Sequence, residues 1–184
     1  MTYKVLIVHG GIASGKTHRG KQIVDLARVN GYDVHGIISQ RVMRDGETIG
    51  YDMVDLMSMK TRPIVYKGAE VQGDEWKPLR GPFLYNEEAF EEANRLLKEA
   101  ANGMNEETLV VVDEYGHLEA VGQGVYQGLK LVVGSLESGG KLLVLCRTDK
   151  IDDVLGLFTR SETSLLVMDA TQSDFMGSLA DSFV

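Results

Sequence analysis

The chain has 184 residues, 43% of them hydrophobic and 25% charged, with a net charge of −8, which suits one domain spanning residues 1–184 with a sizeable buried core. The acidic balance argues against a surface that coats nucleic acid, and the single cysteine, Cys146, excludes an internal disulfide and a cysteine-based zinc site. The apolar stretch at the N-terminus is too short for a signal peptide and no run approaches the roughly 18 apolar residues of a membrane span, so the expected compartment is the cytoplasm, with neither membrane nor nucleic acid as partner.

Apolar runs alternate with helical patterns along the chain, as in a parallel sheet covered on both faces. Residues 3–9 read as a buried strand, with Val5, Leu6, Ile7 and Val8 in succession. A helix is expected over residues 16–30, with Ile23, Leu26 and Ala27 on one face and Gly31 placed to end it. Residues 33–39 read as a second strand. The pattern then changes to an antiparallel hairpin over residues 40–59, turning at Asp45-Gly46. A short strand follows at 63–66, and residues 67–85, which hold two of the three prolines and the only tryptophan, read as an irregular connection. Asn86 is a good N-cap for a helix running to about residue 102, with Glu87 and Glu88 in its first turn. Residues 109–112 form a strand that ends on Asp113-Glu114. A helix over 124–137, a fourth parallel strand over 141–146, a short helix over 151–158, a last strand over 164–168 and a terminal helix capped by Ser173 complete the series.

The first strand leads directly into Gly10-Gly11-Ile12-Ala13-Ser14-Gly15-Lys16-Thr17, a complete phosphate-binding loop. Its glycines let the backbone curl so that successive N–H groups point inward, and the following helix adds its positive dipole end. In that pattern Lys16 reaches the β- and γ-oxygens of a nucleoside triphosphate such as ATP or GTP, and the Thr17 hydroxyl ligates Mg2+. His18, in the first helical turn, either touches the α-phosphate side or faces solvent, and the second is favoured.

Four apolar residues followed by Asp113-Glu114 form the second chemical signal. Behind a phosphate-binding loop, the Asp of such a pair holds Mg2+ and the following Glu polarises an attacking water. A strand ending on solvated acids is the plain alternative.

With these residues in view, the chain resembles the small nucleoside-triphosphatases first recognised in thermophiles and present in animals as the cancer-related nucleoside-triphosphatase. Beyond the loop, the likeness rests on Gly36-Ile37-Ile38-Ser39 leading to Ile49-Gly50-Tyr51-Asp52, on Gly81 to Tyr85 followed by Glu88-Ala89-Phe90, and on Asp113-Glu114-Tyr115-Gly116-His117-Leu118-Glu119. The resemblance implies an α/β fold: a three-layer, RecA-like P-loop NTPase with a mainly parallel sheet and an inserted antiparallel β-hairpin. It also implies Mg2+-dependent hydrolysis of several nucleoside triphosphates. One segment departs from the family's pattern. Where relatives carry Glu-Val-Arg, this chain has Arg41-Val42-Met43, with Arg44 one residue further along.

Weaker candidates for sensing the terminal phosphate are Arg147, after the fourth parallel strand, and Arg160, in the following segment. Residues 169–172 lack the Asn/Thr-Lys-x-Asp pattern that reads guanine, so the sequence offers no base selectivity. Two other functions remain open. Arg41, Arg44, Arg62 and Arg80 could bind an anionic acceptor, as in a small kinase, or slow hydrolysis could gate contact with a protein partner of unknown kind.

Overall fold

The computed structural model describes residues 3–159, 163–180 and 182–183; the side chains of residues 114 and 180 also fall outside the described set. Nine strands form one sheet in the order β5-β6-β4-β3-β2-β7-β8-β1-β9. They are β1 (Val5–Gly10), β2 (Asp33–Arg44), β3 (Glu47–Asp55), β4 (Thr61–Lys67), β5 (Trp76–Arg80), β6 (Phe83–Asn86), β7 (Thr108–Tyr115), β8 (Lys141–Arg147) and β9 (Leu165–Asp169). Helices α1 (Lys16–Val29), α2 (Glu87–Asn102), α3 (His117–Ala120), α4 (Tyr126–Ser135), α5 (Ile151–Leu155) and α6 (Phe175–Ala180) cover it. Among the described residues, no helix is long and apolar enough to cross a membrane.

Alternation along the buried strands divides the side chains between two cores. Val5 and Ile7 of β1 face the layer built by α2, α4 and α5, whereas Leu6 and Val8 face α1 and α6. This makes three layers, helices–sheet–helices, as the α/β reading expects. The strands that run through both cores are apolar without interruption because both faces are covered.

The parallel part, β2-β7-β8-β1-β9, is matched by four antiparallel pairings through β3, β4, β6 and β5. The sheet is therefore half antiparallel, and the inserted hairpin is a four-strand extension. The first hairpin turns as expected: Asp45 and Gly46 both adopt positive φ, 50° and 80°, the conformation whose twist matches flanking strands. The second hairpin, β5–β6, corrects the irregular connection expected over residues 67–85. Pro78 argues against a strand, yet β5 is the sheet edge, where a missing N–H costs no ladder bond.

Local signals set several boundaries. The Asn86 side chain accepts the Ala89 N–H at 2.9 Å and caps α2. Residue 31, past the end of α1, takes the left-handed conformation at φ 87°. The terminal helix begins at Phe175, two residues beyond Ser173. Of the methionines around the first hairpin, Met53 is buried in the core, but Met43, Met57 and Met59 are exposed.

Two features bear on the site. Gly36 pairs with Val111 across β2 and β7 at φ 98°, and a Cβ there would lie 2.0 Å from the Val111 carbonyl oxygen. Further along, β7 carries one residue more than β8 between Val112 and Tyr115, a bulge at the acidic pair. Its effect is visible in the packing. Val110 and Val112 face the α2–α4 core, and Tyr115 faces that same core although strict alternation would send it to the other.

Candidate functional site

The loop after β1 is shaped by its own side chains. Ser14 folds back over Gly10, so that a Cβ at residue 10 would lie 2.2 Å from the Ser14 hydroxyl oxygen. Ala13 and Gly15 take positive φ, 59° and 88°, and the Ser14 N–H donates to the Gly11 carbonyl at 3.3 Å. The loop then opens α1 directly at Lys16. Among the described residues the buried Ser14 Oγ has no hydrogen-bond partner, which an anionic oxygen held in this curl would supply. Ile12 is exposed at the tip of the loop.

Lys16 is buried, and its Nζ donates to the Gly10 and Gly11 carbonyls at 3.2 and 2.8 Å. Next to it, the Thr17 hydroxyl donates to Asp113 Oδ2 at 2.9 Å, and the same oxygen accepts the Ser39 N–H at 3.0 Å. One buried carboxylate thus ties together the start of α1, the middle of β2 two residues past its last pairing with β7, and the bulge of β7. Donating its proton to Asp113 leaves the Thr17 lone pairs for a cation. Thr17 and Asp113 are hard oxygen donors of the kind that suits a divalent ion completed by water and phosphate. Glu114 follows in the bulge; its side chain lies outside the described set.

Ser14, Lys16, Thr17, Ser39 and Asp113 line a cleft of about 990 Å3. His18 is exposed and stands at its edge, as does Arg147, whose Nε donates to Asp149 Oδ1 at 2.9 Å. The Arg147 guanidinium holds the Asp149 carboxyl below its usual value. Arg147 is in register with Gly10 on the adjacent strand, which brings it beside the loop. Arg160 lies outside the described residues.

Other cleft residues take positions that the sequence did not show, although Arg80 was one of the four arginines named from it. Glu119 is buried, and its two oxygens accept the N–H groups of Gly116 and Val125 at 2.9 and 3.0 Å, fastening α3 to the start of α4. Tyr115 lies under the cleft with its phenol pushed up to about 12, chiefly by burial. Arg80, from the unforeseen second hairpin, donates to His117 Nε2 at 3.3 Å across the cleft. The Gly81-Pro82 turn between two short strand-prone runs was the signal for that hairpin.

A half-parallel α/β sheet with a glycine-rich loop curled at the start of α1 and an aspartate facing it defines a P-loop nucleotide-binding fold. Two solved structures share it. A human cancer-related nucleoside triphosphatase is 20% identical, with a TM-score of 0.69 over 98% of this chain and 95% of that one. THEP1 from the hyperthermophile Aquifex aeolicus is 18% identical, with a TM-score of 0.70 over 96% and 95%. No curated protein matches the chain. The NTPase family model matches residues 5–174, and the chain belongs to that family. It is accordingly an enzyme, a hydrolase of nucleoside triphosphates.

Proposed function

We propose that this protein hydrolyses nucleoside triphosphates to the diphosphate and inorganic phosphate with Mg2+ as cofactor, in one domain and with little preference for the base. The observation that carries the reading is the convergence of the Thr17 hydroxyl and the Ser39 amide on Asp113 Oδ2 beside Lys16. Nothing in residues 169–172 has the pattern that would read guanine, which supports breadth.

The loop amides of Gly11 to Gly15 hold the phosphate chain, and Lys16 neutralises charge building on the bridging and terminal oxygens. Thr17 and Asp113 would hold the metal, which when bound neutralises negative charge on the β- and γ-phosphates. Asp113 also orients Thr17 and fixes Ser39, so the loop and β2 keep a set separation. Glu114 takes a proton from water as it attacks the γ-phosphorus. Arg147, beside Gly10, adds positive charge where the terminal phosphate lies, and Arg160 is a second candidate for that role.

Phosphate release from ATP, GTP, CTP and UTP, with Mg2+ or with a chelator, tests the reading. Removing the metal is expected to abolish release for all four. Glu114→Gln should retain nucleotide binding while turnover falls by about 10²–10⁴, the usual contribution of a positioned base. Lys16→Ala should lose both. Unchanged hydrolysis in Glu114→Gln would remove Glu114 from the mechanism.

A further inference from the structure

The cleft is larger than the phosphate site and extends in one direction only. From the loop it passes over β7 and β2 and onto β3, β4, β5 and β6, and none of its lining comes from β9 or residues 169–172. The loop chemistry orients a triphosphate with its terminal phosphate towards Thr17 and Asp113. The far part of the cleft therefore lies beyond that phosphate, on the side away from the nucleoside. Three strand steps separate β7 from β4, about 14 Å at the usual spacing of strands.

That far compartment is apolar inside and cationic at its mouth. Tyr51, Ile64, Leu79, Phe83 and Phe90 form its walls, a composition typical of sites for small organic ligands. Arg41 and Arg80, both exposed, stand over it. Of the four arginines in this region, Arg44 is paired with Glu70 at 2.7 Å, and Arg62 with Glu88 and Glu92 at 2.9 and 2.6 Å. Among the described residues, Arg41 and Arg80 have no carboxylate partner, and the Arg80 guanidinium is steered over the cleft by His117.

The charge is also unusual for this chain. Against a net charge of −8 overall, the lining formed by the described side chains carries Lys16, Lys21, Arg41, Arg80 and Arg147 against Asp113 and Glu119, with Glu114 beside them in sequence. Asp113 and Glu119 are already engaged with backbone N–H groups. Lys16 serves the phosphates, whereas Arg41 and Arg80 belong to strands on the far side.

We propose that this compartment binds a second molecule beside the terminal phosphate: a small organic anion with an apolar ring or chain. The apolar body is buried against Phe83 and Phe90, and the anionic group pairs with Arg41 and Arg80. The inference rests on the placement of the triphosphate described under the proposed function.

The test uses the whole chain and two fluorescent probes of nearly one shape, 1-anilinonaphthalene-8-sulfonate and its uncharged counterpart N-phenyl-1-naphthylamine. Each is titrated with and without saturating Mg2+ and the β,γ-imido analogue of ATP. The sulfonate should bind saturably, one per chain, and its affinity should change less than threefold when the nucleotide analogue is present. Arg80→Gln, an exposed change that spares the core, should weaken the sulfonate about tenfold and leave the neutral probe unaffected. Phe83→Ala should weaken both, with the urea midpoint of each variant measured alongside. Competitive displacement of the probe by nucleotide would overturn the inference, because the compartment would then belong to the nucleoside. So would sulfonate binding that ignores both substitutions. Phosphate release from ATP is followed in the same samples; its absence would sink the hydrolytic reading while leaving the probe data to decide the second site.

Discussion

Replacing Gly36 with Ala is expected to be among the costliest small changes in the chain. The backbone there sits at φ 98°, and the added Cβ would meet the Val111 carbonyl oxygen at 2.0 Å and the Val111 nitrogen at 2.8 Å. Both obstacles are backbone atoms of the adjacent strand, so no side chain can swing aside. The strained backbone costs about 1–3 kcal/mol for a residue with a side chain, and forcing strands apart costs about as much again. The sum, about 2–6 kcal/mol, is a large share of the roughly 5–15 kcal/mol that stabilises a typical domain. With a urea m-value of about 2 kcal/mol/M, the midpoint should fall by about 1–3 M. Trp76, the only tryptophan, provides the fluorescence signal. Gly46→Ala is the control: φ is 80° there but nothing lies within 4 Å of the new Cβ, so only the backbone strain remains. The same β2–β7 pairing fixes Ser39 against Asp113, so nucleotide affinity should decline in Gly36→Ala and hold in Gly46→Ala. A midpoint for Gly36→Ala equal to that of Gly46→Ala would refute the close-approach argument.

Three further outcomes are expected. Burial lowers the pKa of the Lys141 amine below its ordinary 10.5, with the ammonium packed over Tyr32 and Phe183. Between the lowered value and 10.5 the unfolded chain binds more protons, so wild-type stability rises with pH through that window. Lys141→Met should therefore be more stable than wild type at pH 7, with the gap closing towards pH 10.5 in urea titrations; a gap independent of pH would count against it. Burial pushes the Cys146 thiol up to about 12, so N-ethylmaleimide should label the native chain only as fast as it unfolds, and prompt labelling at pH 8 would contradict this. Gly134 is exposed inside α4 with nothing within 4 Å of a new Cβ, and Gly134→Ala should add about 0.5–1 kcal/mol of stability, read from the midpoint.

What was legible in the sequence was local. The curl of the glycine-rich loop, the Asp45-Gly46 turn and the Asn86 cap each depend on a few adjacent residues, and all three conformations appear where the sequence puts them. Strand order was not legible, nor was the edge position that lets Pro78 sit in β5. The partners of Asp113 lie 74 and 96 residues away, so the sequence could nominate the carboxylate but not the amide of Ser39. Long-range ion pairs decide which of four similar arginines remain available to a ligand. Arg41 is one of the two that face the cleft.

The extra residue in β7 also acts as a parity lock. Up to Val112 the strand deals its side chains alternately to the two cores, and at Tyr115 the order has been reversed. Deleting one residue between them would remove the bulge and leave Tyr115 two positions after Val112, with its ring still in the α2–α4 layer but one carboxylate lost. Deleting both would set Tyr115 directly after Val112, turning its ring to the other face, leaving a hole in the α2–α4 layer and removing both carboxylates. Loss of one residue in this segment is thus compatible with the packing and opposed by the chemistry, whereas loss of both is opposed by packing and chemistry together.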